Sequence, residues 1–225
     1  VQIAKLWQKR KYDAGWACIG WDPAYGGRGA SAIEQVIWKQ EEAKHDVPAG
    51  FFVIGQGMMA PTLIAYAQPQ HLERFLPKLA SGEEIWCQLF SEPAGGSDLA
   101  ALRTKAEKDG DEWVINGQKI WTTGAPWSQW IILLTRTDFK AKSKHEGITC
   151  FLVPMDSPGV EVKPIKNMAG DKHFAEIFFT DVQVPVENRL GAEGEGWKVT
   201  VSALANERSS IGEVTQMFSK LDELK

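Results

Sequence analysis

The sequence has few cysteines, and they lie far apart. Cys18, Cys87 and Cys150 are the three cysteines among 225 residues, and none belongs to a C-x-x-C pair. An odd number of widely spaced cysteines argues against a disulfide framework and against a zinc site. We therefore expect three reduced, mostly buried thiols and a reducing compartment, namely the cytoplasm.

Long apolar runs and an excess of positive charge are also missing. No run of about 18 apolar residues is present, so no membrane span is predicted, and no signal-peptide pattern opens the chain. The formal net charge of −4 gives no basic surface for nucleic acid. The four histidines are scattered, without an H-E-x-x-H pattern, so we predict no metal site. The remaining composition is that of a globular protein with a sizeable core.

Residues 1–84 are predicted to be helical. Ser31 and Glu34 form an S-x-x-E capping box, and Pro69 suits the first turn of a later helix that Gly82 ends. The apolar stretch FFVIGQGMMAPTLIAYA between them predicts a buried helix pair or a helix and a turn. The apolar face predicted behind the capping box consists of Ile33, Val36 and Ile37.

Residues 85–190 change to a strand period. Asn116-Gly117 lies between two β-rich runs and predicts a hairpin, and Asp109-Gly110 predicts another turn just before it. Several short strands in series predict a small antiparallel barrel or sandwich. The later strands are predicted in WIILLTRT, GITCFLVP, GVEVKPI and HFAEIFFTDVQVP.

The segment 191–225 returns to helix. Its apolar stripe is predicted at Val201, Leu204, Arg208, Ile211, Phe218 and Leu221. Because this helix is still amphipathic where the chain ends, we expect further protein to follow it. Helices, then strands, then helices indicate an α+β fold with a β module between helical parts.

Three stretches contain residues that could bind a ligand or take part in catalysis, and each also has a purely structural interpretation. In LFSEPAGGSDL, Pro93 ends a strand, and Gly95 and Gly96 let a ligand approach the main chain; a plain tight turn is the alternative. In NGQKIWTTGAPWSQW, the tryptophans are either core or a flat platform for a planar cofactor. In LANERSS, Glu207 and Arg208 are either an ordinary surface or ion pair or functional groups.

Together these stretches resemble one family. SEPAGGSDL, DGDEWVINGQKIWTTGA and DVQVPVENRLGAEGEGW, in this order and spacing, resemble the acyl-CoA dehydrogenases, and YGGRGAS and SGEEIWC add to the likeness. The resemblance covers essentially the whole chain. It implies an N-terminal helical domain at 1–84, a middle β-barrel or sandwich domain that walls a flavin at 85–190, and the start of a C-terminal helical bundle at 191–225. It also implies that residues before Val1 and most of the third domain are absent.

The resemblance implies FAD as the cofactor. Ser91 is expected to hydrogen-bond the flavin, Trp121 to stack near it and Thr123 to hydrogen-bond it, while the turn from Glu92 to Ser97 continues the wall. Many members have tyrosine at the Gln88 position, and Ala94 replaces a commoner glycine. The full set of implied cofactor contacts is Gln88, Leu89, Phe90, Ser91, Gly96, Ser97, Trp121 and Thr123.

The implied reaction is α,β-dehydrogenation of an acyl-CoA thioester to the trans-2-enoyl-CoA. A carboxylate removes the α-proton while the β-carbon gives hydride to the flavin. Most members carry this base late in the third domain, but a minority carry it on the first helix of that domain. There this chain reads Asn206-Glu207-Arg208, so Glu207 is the predicted base, with Asn206, Arg208 and Ser97 on the substrate side. The alternative is a base in the absent segment.

The resemblance also implies partners. A homotetramer or homodimer and an electron-transfer flavoprotein as electron acceptor are expected. Two other functions remain open: an acyl-CoA oxidase or flavin monooxygenase on the same fold, and a non-catalytic subunit of a hetero-oligomeric dehydrogenase. The length and branching of the acyl chain are not predicted.

Overall fold

The described residues build a curled sheet with helices packed on one of its faces. The computed structural model of the chain describes residues 1–45, 47–48, 50–210 and 221, with the backbone alone at 208–210. Five α-helices lie in these residues: α1 (Gln2–Asp13), α2 (Ala32–Glu42), α3 (Ala60–Tyr66), α4 (Pro69–Ser81) and α5 (Gly196–Ser210). Eight strands lie in them as well: β1 (Trp86–Leu89), β2 (Lys105–Asp109), β3 (Glu112–Thr123), β4 (Trp130–Arg136), β5 (Ile148–Pro154), β6 (Val160–Ile165), β7 (Phe174–Pro185) and β8 (Arg189–Leu190).

Local sequence signals set the start of α2 and both ends of α4, as predicted. The Glu34 N–H donates to Ser31 Oγ at 3.4 Å, and the Ser31 N–H donates to the Glu34 carboxylate at 2.7 Å, which confirms the capping box. Helix α4 begins at Pro69 and ends at Gly82, whose φ of 74° is left-handed. Within the apolar stretch before α4, a π-helical turn, Gly55–Met59, leads directly into α3, so the two form one continuous helical segment. No described helix is long and apolar enough to cross a membrane.

The predicted apolar face of α2 is wrong. Ile33, Val36 and Ile37 are 65%, 47% and 52% exposed. The face turned toward the protein instead carries Gln35, which donates to the Ala30 carbonyl, and Trp38, which stacks on Trp16 with ring centroids 4.7 Å apart. Periodicity alone predicted the correct helix but the wrong side, because a tryptophan and an amide take the inward positions.

The strands form one curled sheet with the order β6-β7-β3-β2-β4-β5-β8, and β1 pairs with β4. The sequence predicted an antiparallel module, and most pairings are antiparallel. The β1–β4 and β2–β4 pairings are parallel instead. Strands β1, β4 and β5 are buried on both faces. One face packs against the helices through residues such as Leu63, Phe75, Trp86 and Ile132. The other is enclosed by the curling sheet and includes Leu89, Trp113, Phe151 and Ile177.

The hairpin predicted at Asn116-Gly117 is wrong, because both residues lie inside β3 at a register shift against β7. The Asn116 side chain exchanges two hydrogen bonds of 2.9 Å with Asp181, 65 residues away. Gly117 lies where an added Cβ would sit 2.7 Å from the Thr104 Cα. The hairpin itself turns at the predicted Asp109-Gly110, between β2 and β3.

Helix α5 packs on the helical side of the sheet through Val199 and Ala203. The predicted stripe is wrong at Val201, which is exposed, whereas Leu204 packs against the core. Leu221 is exposed. Ile211 and Phe218, the other predicted stripe residues, lie outside the described residues, as does the Arg208 side chain.

Candidate active site

A pocket of about 140 Å³ opens where the ends of β1 and β3 meet the π-helical turn and α5. It brings together six residues that the sequence assigned to the site from distant positions: Gln88, Phe90, Ser91, Trp121, Thr123 and Glu207. The residues that sequence reasoning missed are Ile54, Met58, Ile120 and Thr122. Met58 lies on the π-helical turn and Ile54 immediately precedes it, and the sequence carries no local signal for that turn.

Strand alternation decides which side chains of β1 reach the pocket. Gln88 faces it, whereas Leu89 points into the interior of the curled sheet, where it is fully buried. The Leu89 side chain therefore does not line the pocket, contrary to expectation. Beyond the strand, the Ser91 carbonyl accepts a hydrogen bond of 3.0 Å from the Ile120 N–H, which fixes the end of β1 beside β3.

A bulge turns Trp121 outward. The register of β3 against β7 shifts between Lys119 and Thr122, and Trp121 there has a φ of 61° and is 59% exposed. A left-handed conformation is strained for a bulky residue, and such strain often marks a functional position. The other two tryptophans of this stretch lie elsewhere: Trp127 packs edge-on against Phe51, and Trp130 packs in the helical-side core.

Glu92 was expected to continue the pocket wall, but its side chain is buried in an ion pair instead. Its carboxylate lies 2.8 Å from the Nζ of Lys119, which has no exposed surface. Burial lowers the pKa of Lys119 to about 8, and the attraction of Glu92 offsets part of that effect. Burial would raise the pKa of Glu92, but Lys119 and hydrogen bonds from Thr104 outweigh it and lower that pKa.

The sequence does carry one signal for this ion pair, at Lys119. This residue continues the inward alternation of β3 that Trp113 and Ile115 begin. A lysine at an inward position needs a buried partner, so its presence predicts a carboxylate nearby. The partner is 27 residues distant along the chain, which spacing alone does not identify.

Glu207 reaches the pocket because of how α5 is seated. The helix begins at Gly196, where an added Cβ would lie 2.8 Å from the backbone of Ile148, so the helix start packs directly on β5. Ala203 is fully buried one turn before Glu207, and residues four apart share a helix face. Glu207 is half-buried at the pocket.

Three further predicted site residues, Gly96, Ser97 and Asn206, lie outside the pocket, and the Arg208 side chain lies outside the described part of the chain. Ser97 is exposed, and an added Cβ at Gly96 would be 4.0 Å from the Ser91 Oγ, so this turn lies beside the pocket. Asn206 is half-buried next to Glu207 but does not line the pocket.

The thiols take no part in this arrangement. All three cysteines are free; Cys87 and Cys150 are buried, and Cys18 is half-buried. Burial raises the pKa of each thiol to about 12, which leaves it protonated and unreactive. Among the described residues no group of three His, Cys, Asp or Glu side chains is placed to hold a metal ion.

The pocket wall fits a flat, polar-edged ligand such as a flavin. Gln88 Oε1 is buried without a hydrogen-bond partner among the described residues. A bound ligand with an N–H group could donate the hydrogen bond that this acceptor lacks. Trp121 offers an exposed indole face, and Thr123 an exposed hydroxyl. An orphaned acceptor, an aromatic platform and a hydroxyl are groups that a planar ring with N–H and carbonyl edges would satisfy.

Comparison with known proteins points the same way. Residues 2–83 match the acyl-CoA dehydrogenase N-terminal domain, and residues 87–182 match the acyl-CoA dehydrogenase middle domain. The acyl-CoA dehydrogenase IpdE1 of Mycobacterium tuberculosis is 44% identical over 98% of this chain and 57% of its own length.

Solved structures share the fold. A steroid ACAD named for two proteins, Tcur3481 and Tcur3483, superimposes with a TM-score of 0.89 and 32% identity over 99% of this chain and 57% of its own. A glutaryl-CoA dehydrogenase from Mycobacterium smegmatis in complex with FADH2 superimposes with a TM-score of 0.76 and 27% identity, over 94% of this chain and 53% of its own. The chain thus spans little more than half the length of these relatives.

Proposed function

The chain belongs to the acyl-CoA dehydrogenase family, and from this premise we propose that the whole protein is an FAD-dependent acyl-CoA dehydrogenase. It would convert an acyl-CoA thioester into the trans-2-enoyl-CoA. The observation that carries the proposal is the single pocket lined by the ends of β1 and β3 and by Glu207. The relative with bound FADH2 supports the choice of cofactor.

The residues at the strand ends would hold FAD. Trp121 would stack on the ring system, Gln88 Oε1 would accept from a ring N–H, and Thr123 and Ser91 would hydrogen-bond its edge. Leu89 would contribute its backbone only, and Gly96 and Ser97 would extend the wall beyond Ser91. When bound, FAD supplies the acceptor for the hydride that leaves the β-carbon of the substrate.

Glu207 would act as the base. Its carboxylate takes the α-proton, and the electron pair of that C–H bond becomes part of the new C=C bond. Ile54 and Met58 line the same pocket and help to exclude water from the reacting atoms. Asn206 and Arg208 flank the base and would lie on the substrate side. The competing assignment places the base in a segment outside this chain.

The relatives guide the choice of substrates and partners to test. The likeness to a steroid ACAD supports a steroid-derived acyl chain as the first thioester to try. A homo-oligomer and an electron-transfer flavoprotein as acceptor remain our proposals. Because that relative is named for two proteins, a hetero-oligomer with a homologous subunit is the second candidate assembly.

The proposal is tested with the full-length protein under anaerobic conditions. The visible spectrum is recorded before and after adding straight-chain, branched and steroid-derived acyl-CoA thioesters. We expect an oxidised flavin band that one class of thioester bleaches. A protein that binds no flavin, alone or with a co-expressed homologous subunit, contradicts the proposal. Rapid reoxidation by air with release of peroxide would favour the oxidase instead.

A further inference from the structure

One buried ion pair holds both ends of the loop that follows β1. We call residues 90–104 the pocket loop. At its start, Lys119 Nζ donates to the Phe90 carbonyl at 3.0 Å. At its end, the Glu92 carboxylate accepts from the Arg103 N–H at 2.6 Å and from the Thr104 N–H at 2.9 Å. The 2.8 Å contact between Lys119 and Glu92 joins these two anchors into one clamp.

The same clamp connects the pocket loop to the strand that carries Trp121. Lys119 lies on β3 immediately before the bulge, two residues from Trp121. The neighbouring Ile120 N–H donates to the Ser91 carbonyl at 3.0 Å. Phe90, Ser91 and Trp121 all line the pocket. The clamp therefore fixes two pocket walls, which are distant in sequence, relative to each other.

Stability alone does not account for this pair. Removing two charges from water is costly, and buried ion pairs are often no more stabilising than well-packed apolar residues of similar size. The Lys119 position continues the inward row of Trp113 and Ile115, where an apolar side chain would otherwise stand. What the pair adds is a set of directional hydrogen bonds, which fix distance and orientation more narrowly than apolar contacts do.

We infer that Glu92 and Lys119 are positioning residues, whose ion pair sets the spacing between the pocket loop and the Trp121 end of β3. This inference rests on the proposed function, because the group whose site is positioned is the flavin. Neither side chain lines the pocket. They act through Phe90, Ser91 and Trp121, which do.

The test compares Glu92→Gln with Glu84→Gln in the full-length protein. Glu84 is a matched control because its carboxylate is also largely buried and lies 2.8 Å from Arg74, in a groove that shares no residue with the pocket. FAD affinity is measured by titrating apo-protein well below its unfolding temperature, and the visible spectrum of the bound flavin is recorded. We expect Glu92→Gln to weaken FAD binding at least tenfold and to shift the flavin band. Glu84→Gln should lower the unfolding temperature while leaving affinity and spectrum unchanged.

A second variant covers the case in which Glu92→Gln does not fold. Glu92→Asp keeps the charge for Lys119 but shortens its reach toward Arg103 and Thr104, so we expect weaker FAD binding and a shifted band, each smaller than for Glu92→Gln. Wild-type affinity and spectrum in either folded variant would overturn the inference while leaving the proposed function intact. A wild-type protein without flavin would instead contradict the proposed function, and this inference with it.

Discussion

At the scale of single residues, Trp121 combines two features that folding alone does not favour. It is a large aromatic side chain that is mostly exposed, and its backbone is left-handed. A left-handed backbone costs a non-glycine residue roughly 1–2 kcal/mol. An exposed, strained tryptophan at the mouth of a pocket is therefore better explained by a bound ligand than by the stability of the chain.

Replacing Trp121 tests that explanation. A stacked aromatic contact contributes about 0.5–1.5 kcal/mol beyond its buried area, so Trp121→Ala should weaken FAD binding roughly two- to twelvefold. The unfolding free energy should change little, because the side chain is exposed. Phe139→Ala is the control, since Phe139 is equally exposed at 59% but does not line the pocket. Equal FAD affinities in the two variants, measured by titration of apo-protein, would contradict stacking by Trp121.

The Glu92 carboxylate predicts how the unfolding free energy changes at acidic pH. Its folded pKa lies below the ordinary value of 4.5, so between the two values the unfolded chain binds more protons and stability rises with pH. The contribution of Glu92 is fully present above about 4.5 and is lost as the pH falls through the folded pKa. At neutral pH, Glu92→Gln should cost about 3–5 kcal/mol by leaving Lys119 unpaired.

Urea unfolding of the wild type and of Glu92→Gln between pH 7 and pH 3 checks this dependence. The difference in unfolding free energy should shrink as the pH falls below about 4.5. Glu107→Gln, at an exposed carboxylate of β2 paired with Lys105, should differ little from the wild type throughout. A difference for Glu92→Gln that stays constant down to pH 3 would show that its carboxylate is not preferentially ionised in the folded protein.

At the scale of secondary-structure elements, β3 and β7 show why the predicted turn at Asp109-Gly110 is correct and the one at Asn116-Gly117 is wrong. The Asp109-Gly110 turn and the capping box of α2 depend on residues within four positions of one another. Asn116-Gly117 has equally strong local turn chemistry, but Asn116 bonds to Asp181 and Gly117 faces Thr104. These tertiary contacts override the local preference, and a single sequence does not display them.

The prediction for Gly117 therefore rests on close packing against Thr104, not on turn conformation. Gly117→Ala would place a Cβ 2.7 Å from the Thr104 Cα and should destabilise the fold by about 1–3 kcal/mol. Gly110→Asn is the control, because Gly110 has a φ of 60° with open space around it and asparagine tolerates that conformation. Urea unfolding measures both variants. Equal stability of the two would contradict the close packing of β3 on Thr104.

At the scale of the whole molecule, the candidate site belongs to no single layer. The helical layer contributes the π-helical turn, the sheet contributes the ends of β1 and β3, and α5 contributes Glu207. The sequence predicted the order of these layers and six of the pocket residues, because the motifs are local and the family resemblance assigns their roles. It did not predict Ile54, Met58 or the Glu92–Lys119 pair, since each depends on how distant elements pack together.

The central claim is that Glu207 and the pocket-lining ends of β1 and β3 form one active site. The most direct measurement is the anaerobic rate of flavin reduction by an acyl-CoA thioester in the full-length protein carrying Glu207→Gln. A positioned general base contributes roughly 10²–10⁴-fold, so we predict a loss of that size with FAD affinity unchanged. Reduction within about twofold of the wild-type rate would contradict the claim and place the base in a segment outside this chain.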